Sequence, residues 1–560
     1  MKLSTFQSLI GPAVLVTETA RPVELLDMKL SRDICRSTPR FISQLYFAIA
    51  ILLSASTASI FAAGRAEELN PASVTGRNLP YPVFTDVTAS AGLQPTGFPF
   101  GNLVWGDFDG DGDLDVFVDN HYNLPPYLYV NNGNGTFTDI FLSTGLHKIR
   151  DRHGSGWCDF DNDGDLDLHI SIGANGGGAL GMKQDEMFLN LGGNQFSDVA
   201  PEAGVINTWG RGRSVAWGDY DNDGYPDLLL GNLATNLVLY RNNGDGTFTD
   251  ATIAAGINDL HYVEVAFADY NNDGFADIFC TDVELHGTAN DLLMKNNGDG
   301  TFADVTQPAG IPEVNDGRSI AWGDYNNDGF LDLFVSRGTE PVKQSLYQNN
   351  GNGTFTDVTD QAGLGAISNN RAAGWGDFDN DGYLDLYVVN SGTDPDGKGP
   401  NYLYHNNRNG TFTDVAASTG VQVLVLSRGR GAAWGDYDED GFLDLFVTNG
   451  EDGTDYVEGP QFLYRNAGNA NHWLKVKLVG TTSSRQGLGA KVTVKVGRIS
   501  QYRENNGSSG HYLSQGNTPL HFGAGKATTV NRVTVNWPSG QTSILSRVPT
   551  NQTLVVTEGL

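Results

Sequence analysis

At 560 residues the chain is long enough for several domains or one large repeat array. Its 71 glycines, its many Asp-Gly and Asn-Gly turns and its lack of Leu-rich helical periodicity point to an all-β protein. A formal charge of −31 with no basic tract argues against nucleic acid or an anionic membrane surface as partner. Of three cysteines, Cys35 falls in an expected leader, and Cys158 and Cys280 alone make neither a disulfide framework nor a Cys-based zinc site.

Residues 45–53, LYFAIAILL, follow Arg36 and Arg40 and precede a run of small residues. That layout predicts a secretory signal peptide region over 1–63, cleaved between Ala58 and Ala63, with Met28 offering a more ordinary start. An uncleaved anchor is the competing reading. No later apolar run approaches spanning length, so the mature chain is expected to lack a membrane span. A linker is expected over 64–82.

From Val83 a repeat takes over. Each unit holds an F-x-D segment, an A-W-G-D segment leading into an acidic loop, an alternating run such as Leu331–Val335, and a segment such as Leu346–Asn350. Four short strands per 50–60 residues, with turns between them, predict a seven-bladed β-propeller over 83–468. The first-strand Trp or Phe is expected to pack between blades. F-x-D segments begin at Phe84, Phe137, Phe196, Phe248, Phe302, Phe355 and Phe412, one before each acidic loop and none after the last. The seventh blade should therefore borrow residues 83–88 and close the ring. From 469 to 560 the runs His472–Leu478, Ala490–Val496, Val530–Trp537 and Gln552–Thr557 predict a small β-sandwich.

The acidic loops carry the chemistry. Asp219-x-Asp221-x-Asp223-Gly224-x-x-Asp227 puts carboxylates at positions 1, 3, 5 and 9 and glycine at 6. Ca²⁺ takes 6–8 oxygen ligands, which closely spaced Asp side chains supply. Without a cation those carboxylates would repel one another. The same loop recurs as Asp107, Asp109, Asp111, Asp113 and Asp115; Asp159, Asp161, Asp163, Asp165 and Asp167; and Asp269, Asn271, Asp273 and Asp277. It recurs again as Asp324, Asn326, Asp328 and Asp332; Asp377, Asp379, Asp381 and Asp385; and Asp436, Asp438, Asp440 and Asp444. Up to seven Ca²⁺ are expected. Asn271 and Asn326 remove one charge each, so loops 4 and 5 should bind more weakly. Units 2 and 4 are irregular, with Cys158 where glycine is usual and Phe267-Ala268 in place of Trp-Gly.

These repeats resemble FG-GAP/VCBS-type repeats, the family that includes integrin α-subunit propellers. Gly487–Ala490, Arg503-Glu504, Ser514-Gln515, His521–Gly525, Trp537–Gly540 and Asn551-Gln552 resemble the ASPIC/UnbV domain. This domain order is that of the cartilage acidic protein family and its bacterial relatives. The resemblance implies a secreted, calcium-binding propeller and no known reaction. Animal members carry a further Cys-rich EGF-like module, so a bacterial-type relative is expected.

His153, Arg213, Arg318, Arg371 and Arg430 each stand four residues before the first-strand aromatic. They should lie at the end of the ring away from the acidic loops, either as a ligand face for an anionic group or as ion-pair partners that fix blade spacing. The ion-pair reading is the plainer one. The longer connections 173–185, 390–400 and 449–460 should share that face. The segment Gly176–Gly181 fits G-x-G-x-x-G, but without a strand–helix unit around it. G-x-S-x-G, P-loop, H-E-x-x-H and Arg-Gly-Asp patterns are absent. The expected protein is a secreted, periplasmic or cell-surface binding or adhesion module for an extracellular protein or glycan. The alternatives are a Ca²⁺-dependent enzyme acting on polysaccharide, as lyase or hydrolase, and a passive calcium-loaded structural element.

Overall fold

Each acidic loop joins two antiparallel strands, and the alternation on either side of it builds a four-stranded sheet. The computed structural model describes residues 81–560 apart from 95, 98–101, 121–124, 147–150, 174–183, 208–209, 234, 283–289, 339–342, 366–368, 393–398, 424–427, 451–458, 508 and 511–517. The expected leader and most of the expected linker lie outside the described residues. Seven repeat sheets, called blades 1–7 here, cover 103–139, 152–198, 212–250, 264–304, 317–357, 370–414 and 428–466. Blade 3 is representative: its strands Gly212–Gly218, Asp227–Asn232, Val238–Asn242 and Phe248–Asp250 pair in sequence order. The first strands of successive blades touch in cyclic order, with blade 7 against blade 1. This is a β-propeller.

The A-W-G-D segment explains how blades stack. Val215 and Trp217 enter the core shared with blade 2, while Ala216 enters the core shared with blade 4. A period-2 strand thus offers a large face to one neighbour and a small face to the other. The indole N–H groups of Trp157, Trp217, Trp375 and Trp434 donate to first-strand carbonyls of the preceding blade, at 3.1–3.3 Å. The glycine makes room for the next blade's ring: a Cβ on Gly218 would lie 2.6 Å from Phe267. A Cβ on Gly435 would meet Trp105 at 2.9 Å, which carries the same packing across the blade 7–blade 1 junction.

Blade 7 takes its outer strand from the other end of the repeat region. Phe84–Asp86 pairs antiparallel with Phe462–Asn466, in the register Phe84↔Asn466, Thr85↔Arg465 and Asp86↔Tyr464. The expected closure is what the structure contains. One detail differs from the sequence reading: Tyr81, placed in the linker, packs against blade 6 with its ring 4.6 Å from His405 and 6.5 Å from Phe378. An aromatic beside the closing strand is drawn onto the apolar edge that the strand covers. Short helical turns Ala200–Ala203, Thr359–Ala362 and Ala416–Thr419 follow three outer strands, each ending on a left-handed glycine.

The C-terminal region forms two sheets. One orders Leu520–Gly525, His472–Val479 and Thr553–Thr557; the other orders Ile499–Glu504, Lys491–Val496, Thr529–Asn536 and Thr542–Pro549. They bury Leu474, Val476, Val492, Val494, Phe522, Val533 and Val535 in one core, as a sandwich does. The Glu558 carboxylate ties its edge, accepting the N–H groups of Thr481, Thr482 and Ser483 at 2.8–2.9 Å and the Ser539 hydroxyl. Burial would push this carboxyl up, but the Ser539 hydroxyl and the three N–H donors outweigh it and hold it at about 2. A depressed carboxyl stabilises the fold above its ordinary value of 4.5 and loses that contribution as pH falls towards 2. Glu558→Gln is thus expected to cost roughly 2–3 kcal/mol at pH 7, as hydrogen bonds to a charged group do. In urea titrations from pH 7 to 3 the gap from the unaltered protein should narrow only below about pH 4.5. A gap that is absent at pH 7, or widens in acid, contradicts this role.

Candidate metal centres

Every acidic loop closes on itself through the same bonds. The position-1 carboxylate accepts the N–H of the position-6 glycine, at 2.6–3.2 Å around the ring. That glycine has φ between 86° and 108°, a conformation costly for any residue with a Cβ. The position-9 carboxylate begins the second strand and is buried in every blade. Its Oδ1 accepts the N–H of a third-strand asparagine, such as Asn242 on Asp227 at 2.8 Å and Asn406 on Asp385 at 2.8 Å. In six loops its Oδ2 accepts the N–H of position 2.

The loops bring their carboxylates together as the spacing implies. Oxygens of Asp107, Asp109 and Asp115 lie within 4.8 Å of one another, as do those of Asp159, Asp161 and Asp167, of Asp219, Asp221 and Asp227, and of Asp377, Asp379 and Asp385. Position 7 is different: the Asp165 side chain is exposed, Asp113 is half-buried, and neither belongs to these triads. Position 5 is represented by Asp381, which groups with Asp379 and His405.

Burial, then neighbouring carboxylates, push these groups far above the ordinary carboxylate range. Asp159, Asp219 and Asp324 rise to about 7, Asp115 to about 8, and Asp167 and Asp277 to about 9. Asp227, Asp332, Asp385 and Asp444 are likewise raised well above it. A loop without a metal keeps protons that a divalent cation displaces. Asp159 Oδ1, Asp436 Oδ1 and Asp438 Oδ1 are buried with no hydrogen-bond donor. Closely spaced, partly orphaned carboxylate oxygens on a tight loop fit a hard cation, so these clusters can hold a metal.

Two rings of asparagine amides were not foreseen. Asn131, Asn190, Asn242, Asn296, Asn349, Asn406 and Asn466 each donate to the position-2 carbonyl of the preceding blade's loop, at 2.7–2.8 Å. At position 4, Asn162, Asn222, Asn272, Asn327 and Asn380 donate to the position-6 carbonyl of the next loop, at 2.9–3.1 Å. The signals were the recurring L-Y-x-N-N and D-x-D-N-D-G strings, which read as ordinary turn chemistry.

The C-terminal sheets sit on this face of the ring. Five of the seven position-1 carboxylates meet a donor from them. Lys475 Nζ contacts Asp436 at 2.8 Å, Lys477 Nζ contacts Asp107 at 3.4 Å, and the Gly523 N–H contacts Asp377 at 3.1 Å. Arg485 Nε lies 4.0 Å from Asp159, and Lys491 Nζ is bonded to Asp269. Both irregular units belong to this interface: the Cys158 thiol donates to Gln486 Oε1 at 3.3 Å, and the Asp269 N–H donates to Glu504 Oε1 at 3.0 Å. Strand Ser509–Gly510 pairs with Val215 and Ala216, adding a fifth strand on the inner edge of blade 3.

At the other end of the first strands His153, Arg213, Arg318, Arg371 and Arg430 are all buried. Arg318 pairs with Asp316 at 3.2 Å, and His153 lies 3.5 Å from Asp151. Glu264 stands among Arg318 and Arg213; burial pushes its carboxyl well up and those two cations oppose the rise. Arg152–Glu186 at 2.8 Å and Arg337–Asp291 at 2.5 Å extend the same buried pairing.

Asp219→Ala, Asp377→Ala and Asp436→Ala are each expected to remove one bound metal ion and leave the others, since each repeat contacts only its neighbours. Asp436→Ala should also loosen the C-terminal sheets, because Lys475 is buried against it. Metal counts after equilibrium dialysis check this; counts unchanged by all three substitutions contradict it.

An FG-GAP-like repeat model matches residues 107–170, 171–230, 219–280, 281–335, 338–388 and 389–447. An FG-GAP repeat model matches 317–356, and an ASPIC and UnbV model matches 480–560. Cartilage acidic protein 1 of Xenopus tropicalis is 29% identical to this chain over 82% of it and 74% of its own length. The Homo sapiens protein of that name is 26% identical over 82% and 72%. Among solved structures, the BP39L lectin from Burkholderia pseudomallei aligns at 12% identity over 67% of this chain and 98% of its own, with a TM-score of 0.42. Among the described residues no helix is long and apolar enough to cross a membrane. With the repeat matched over more than half its length, the chain belongs to the FG-GAP-like repeat family and carries an ASPIC and UnbV domain over 480–560.

Proposed function

We propose that this chain is a secreted, calcium-loaded propeller of seven blades over 83–468, with a C-terminal sandwich over 469–560, acting as an extracellular binding or adhesion module for a protein or glycan. The observation that carries the calcium reading is the set of buried, donor-less oxygens Asp159 Oδ1, Asp436 Oδ1 and Asp438 Oδ1 inside loops of hard-oxygen donors. Positions 1, 3, 5 and 9 would hold each ion: Asp107, Asp109, Asp111 and Asp115 in loop 1, and their counterparts in the others. The bound cation supplies the positive charge that lets these carboxylates stay ionised side by side.

The covering of the loop face bears on what calcium does for the ligand. Carboxylates held under the C-terminal sheets are not free to bridge an ion to a glycan or protein. Calcium is then a brace for the scaffold, and the ligand surface is the opposite face and its long connections. The segments expected to contribute, 173–185, 390–400 and 449–460, lie largely outside the described residues. Screening the protein on a glycan array and by pull-down from extracellular fractions, with Ca²⁺ and after chelation, tests the reading. A ligand captured in Ca²⁺ supports it. Capture of none across both screens, or turnover of a polysaccharide on the array, overturns it.

A further inference from the structure

Loop 4 is filled by the protein's own donors. Lys491 Nζ is bonded to Asp269 Oδ2, with both side chains largely buried. Lys295 Nζ, from the third strand of the same blade, lies 3.1 Å from Asp273 Oδ2. In six loops the position-9 Oδ2 accepts the main-chain N–H of position 2; on Asp277 that oxygen faces Asn271 Nδ2 at 3.4 Å. Three carboxylates, Asp269, Asp273 and Asp277, therefore meet two ammonium groups and one amide N–H₂. An ammonium or an amide nitrogen donates and offers no lone pair to a cation.

The C-terminal sheets hold Lys491 in place. It opposes Glu504 in the strand ladder, and Glu504 Oε1 accepts the Asp269 N–H at 3.0 Å. The Tyr502 hydroxyl donates to Asn272 Oδ1 at 3.3 Å, so a third residue from the same sheet grips the same loop. Loop 7 is the informative contrast. Lys475 contacts Asp436 Oδ2 there and Arg465 engages Asp438 and Asp440, yet the loop keeps carboxylates at all of positions 1, 3, 5 and 9, and Asp436 Oδ1 and Asp438 Oδ1 are buried without donors. Among the described residues loop 3 receives no cation from the C-terminal sheets; Arg241 of its own blade engages Asp221 and Asp223 at 2.5 Å.

We propose that Lys491 is the resident cation of loop 4: its ammonium group takes the place that a divalent metal takes in the other loops, and loop 4 serves as a metal-free socket for the C-terminal sheets. This rests on the calcium reading of the remaining loops. A divalent ion entering loop 4 would face the buried Lys491 ammonium, with the more exposed Lys295 beside it, and one carboxylate fewer, which weakens it on both counts. The socket keeps its shape in a chelator, whereas its neighbours do not.

The test places the ions directly. Crystals of the unaltered protein grown in millimolar Ca²⁺ and then soaked in Tb³⁺ are expected to show anomalous peaks in loops 1, 2, 3, 6 and 7 and none in loop 4. The double variant Lys491→Met, Asn271→Asp should gain one peak at loop 4 and one Ca²⁺ per chain in equilibrium dialysis. Lys491→Arg, which keeps the cation, should stay metal-free there and retain the wild-type melting midpoint. A peak in loop 4 of the unaltered protein overturns the proposal, and needs no variant to fold. So does a folded double variant that gains no ion while the other loops are filled. Peaks in none of the seven loops would instead sink the calcium reading and this contrast with it.

Discussion

Moving the protein from millimolar Ca²⁺ into EGTA is expected to lower its melting temperature by many degrees. A ligand that binds only the folded state stabilises it by about 2.7 kcal/mol per site at a hundredfold excess over Kd, and several loops act at once. The carboxylates at issue cannot simply remain charged when the metal leaves: Asp167 rises to about 9 and Asp115 to about 8 because they are buried among like charges. Nor can the loops rearrange freely. Position-1 and position-9 carboxylates also accept main-chain N–H groups, and the asparagine amides bind each loop to its neighbours. Strain in one loop therefore passes to the next blade, which is why the loss should be cooperative. Mg²⁺, which demands a tighter octahedral shell, should rescue poorly at equal concentration. Melting curves recorded in Ca²⁺, Mg²⁺ and EGTA decide the matter. Midpoints that coincide in all three would remove the metal assignment.

The ring was legible because its evidence is a count: seven F-x-D strings before seven acidic loops, with none left for the last blade. The clustering of positions 1, 3 and 9 was legible for the same reason, as a spacing that recurs without drift. What escaped the sequence depends on a neighbour supplied from elsewhere in the chain. Gly218 is needed because Phe267 of the next blade lies over it, and nothing local says so. The asparagine rings escaped because Asn two residues before a turn glycine, as in Asn242-Asn243-Gly244 and Asn222-Asp223-Gly224, is ordinary turn chemistry, and their partners are carbonyls of another blade.

The docking of the C-terminal sheets was hidden more deeply. In H-W-L-K-V-K-L the lysines read as the solvent face of an alternating strand, yet Lys475 is 3% exposed. Strand Ile499–Glu504 was missed because its buried residues include Gln501 and Glu504, which face acidic loops instead of an apolar core. A strand whose covered face meets charges carries no hydrophobic alternation to detect. Of the inner cations, offered by the sequence as a ligand face or as ion-pair partners, Arg430 and Arg318 are only 1% and 2% exposed.

The closing strand should carry the second large effect. A chain beginning at Tyr81 is expected to melt like the unaltered mature protein, and one beginning at Ala89 to aggregate or to lose most of its thermal stability. The missing residues take with them the ladder from Phe84–Asp86 to Phe462–Asn466. They also remove the bond from Ala467 N–H to the Val83 carbonyl at 3.0 Å, and the Thr88 hydroxyl that accepts the Leu463 N–H at 2.8 Å. Phe84 is buried, with its ring 6.0 Å from Phe378 of blade 6 and 6.2 Å from Trp434 of blade 7, so its loss opens the seam between those blades. Removing such a phenylalanine alone costs about 3–5 kcal/mol, and Phe84→Ala provides that smaller step. The edge left on Phe462–Asn466 would present unpaired backbone groups, a template for pairing with another molecule. A synthetic peptide spanning 81–90 should therefore bind the shortened chain and restore its melting temperature, since the register is fixed by Phe84 entering its pocket. Scrambling the peptide so that Phe84 falls on the outward face should abolish the rescue, because a one-residue slip reverses every side chain. If the chain beginning at Ala89 melts normally without peptide, pairing between the two ends of the ring does not hold the propeller closed.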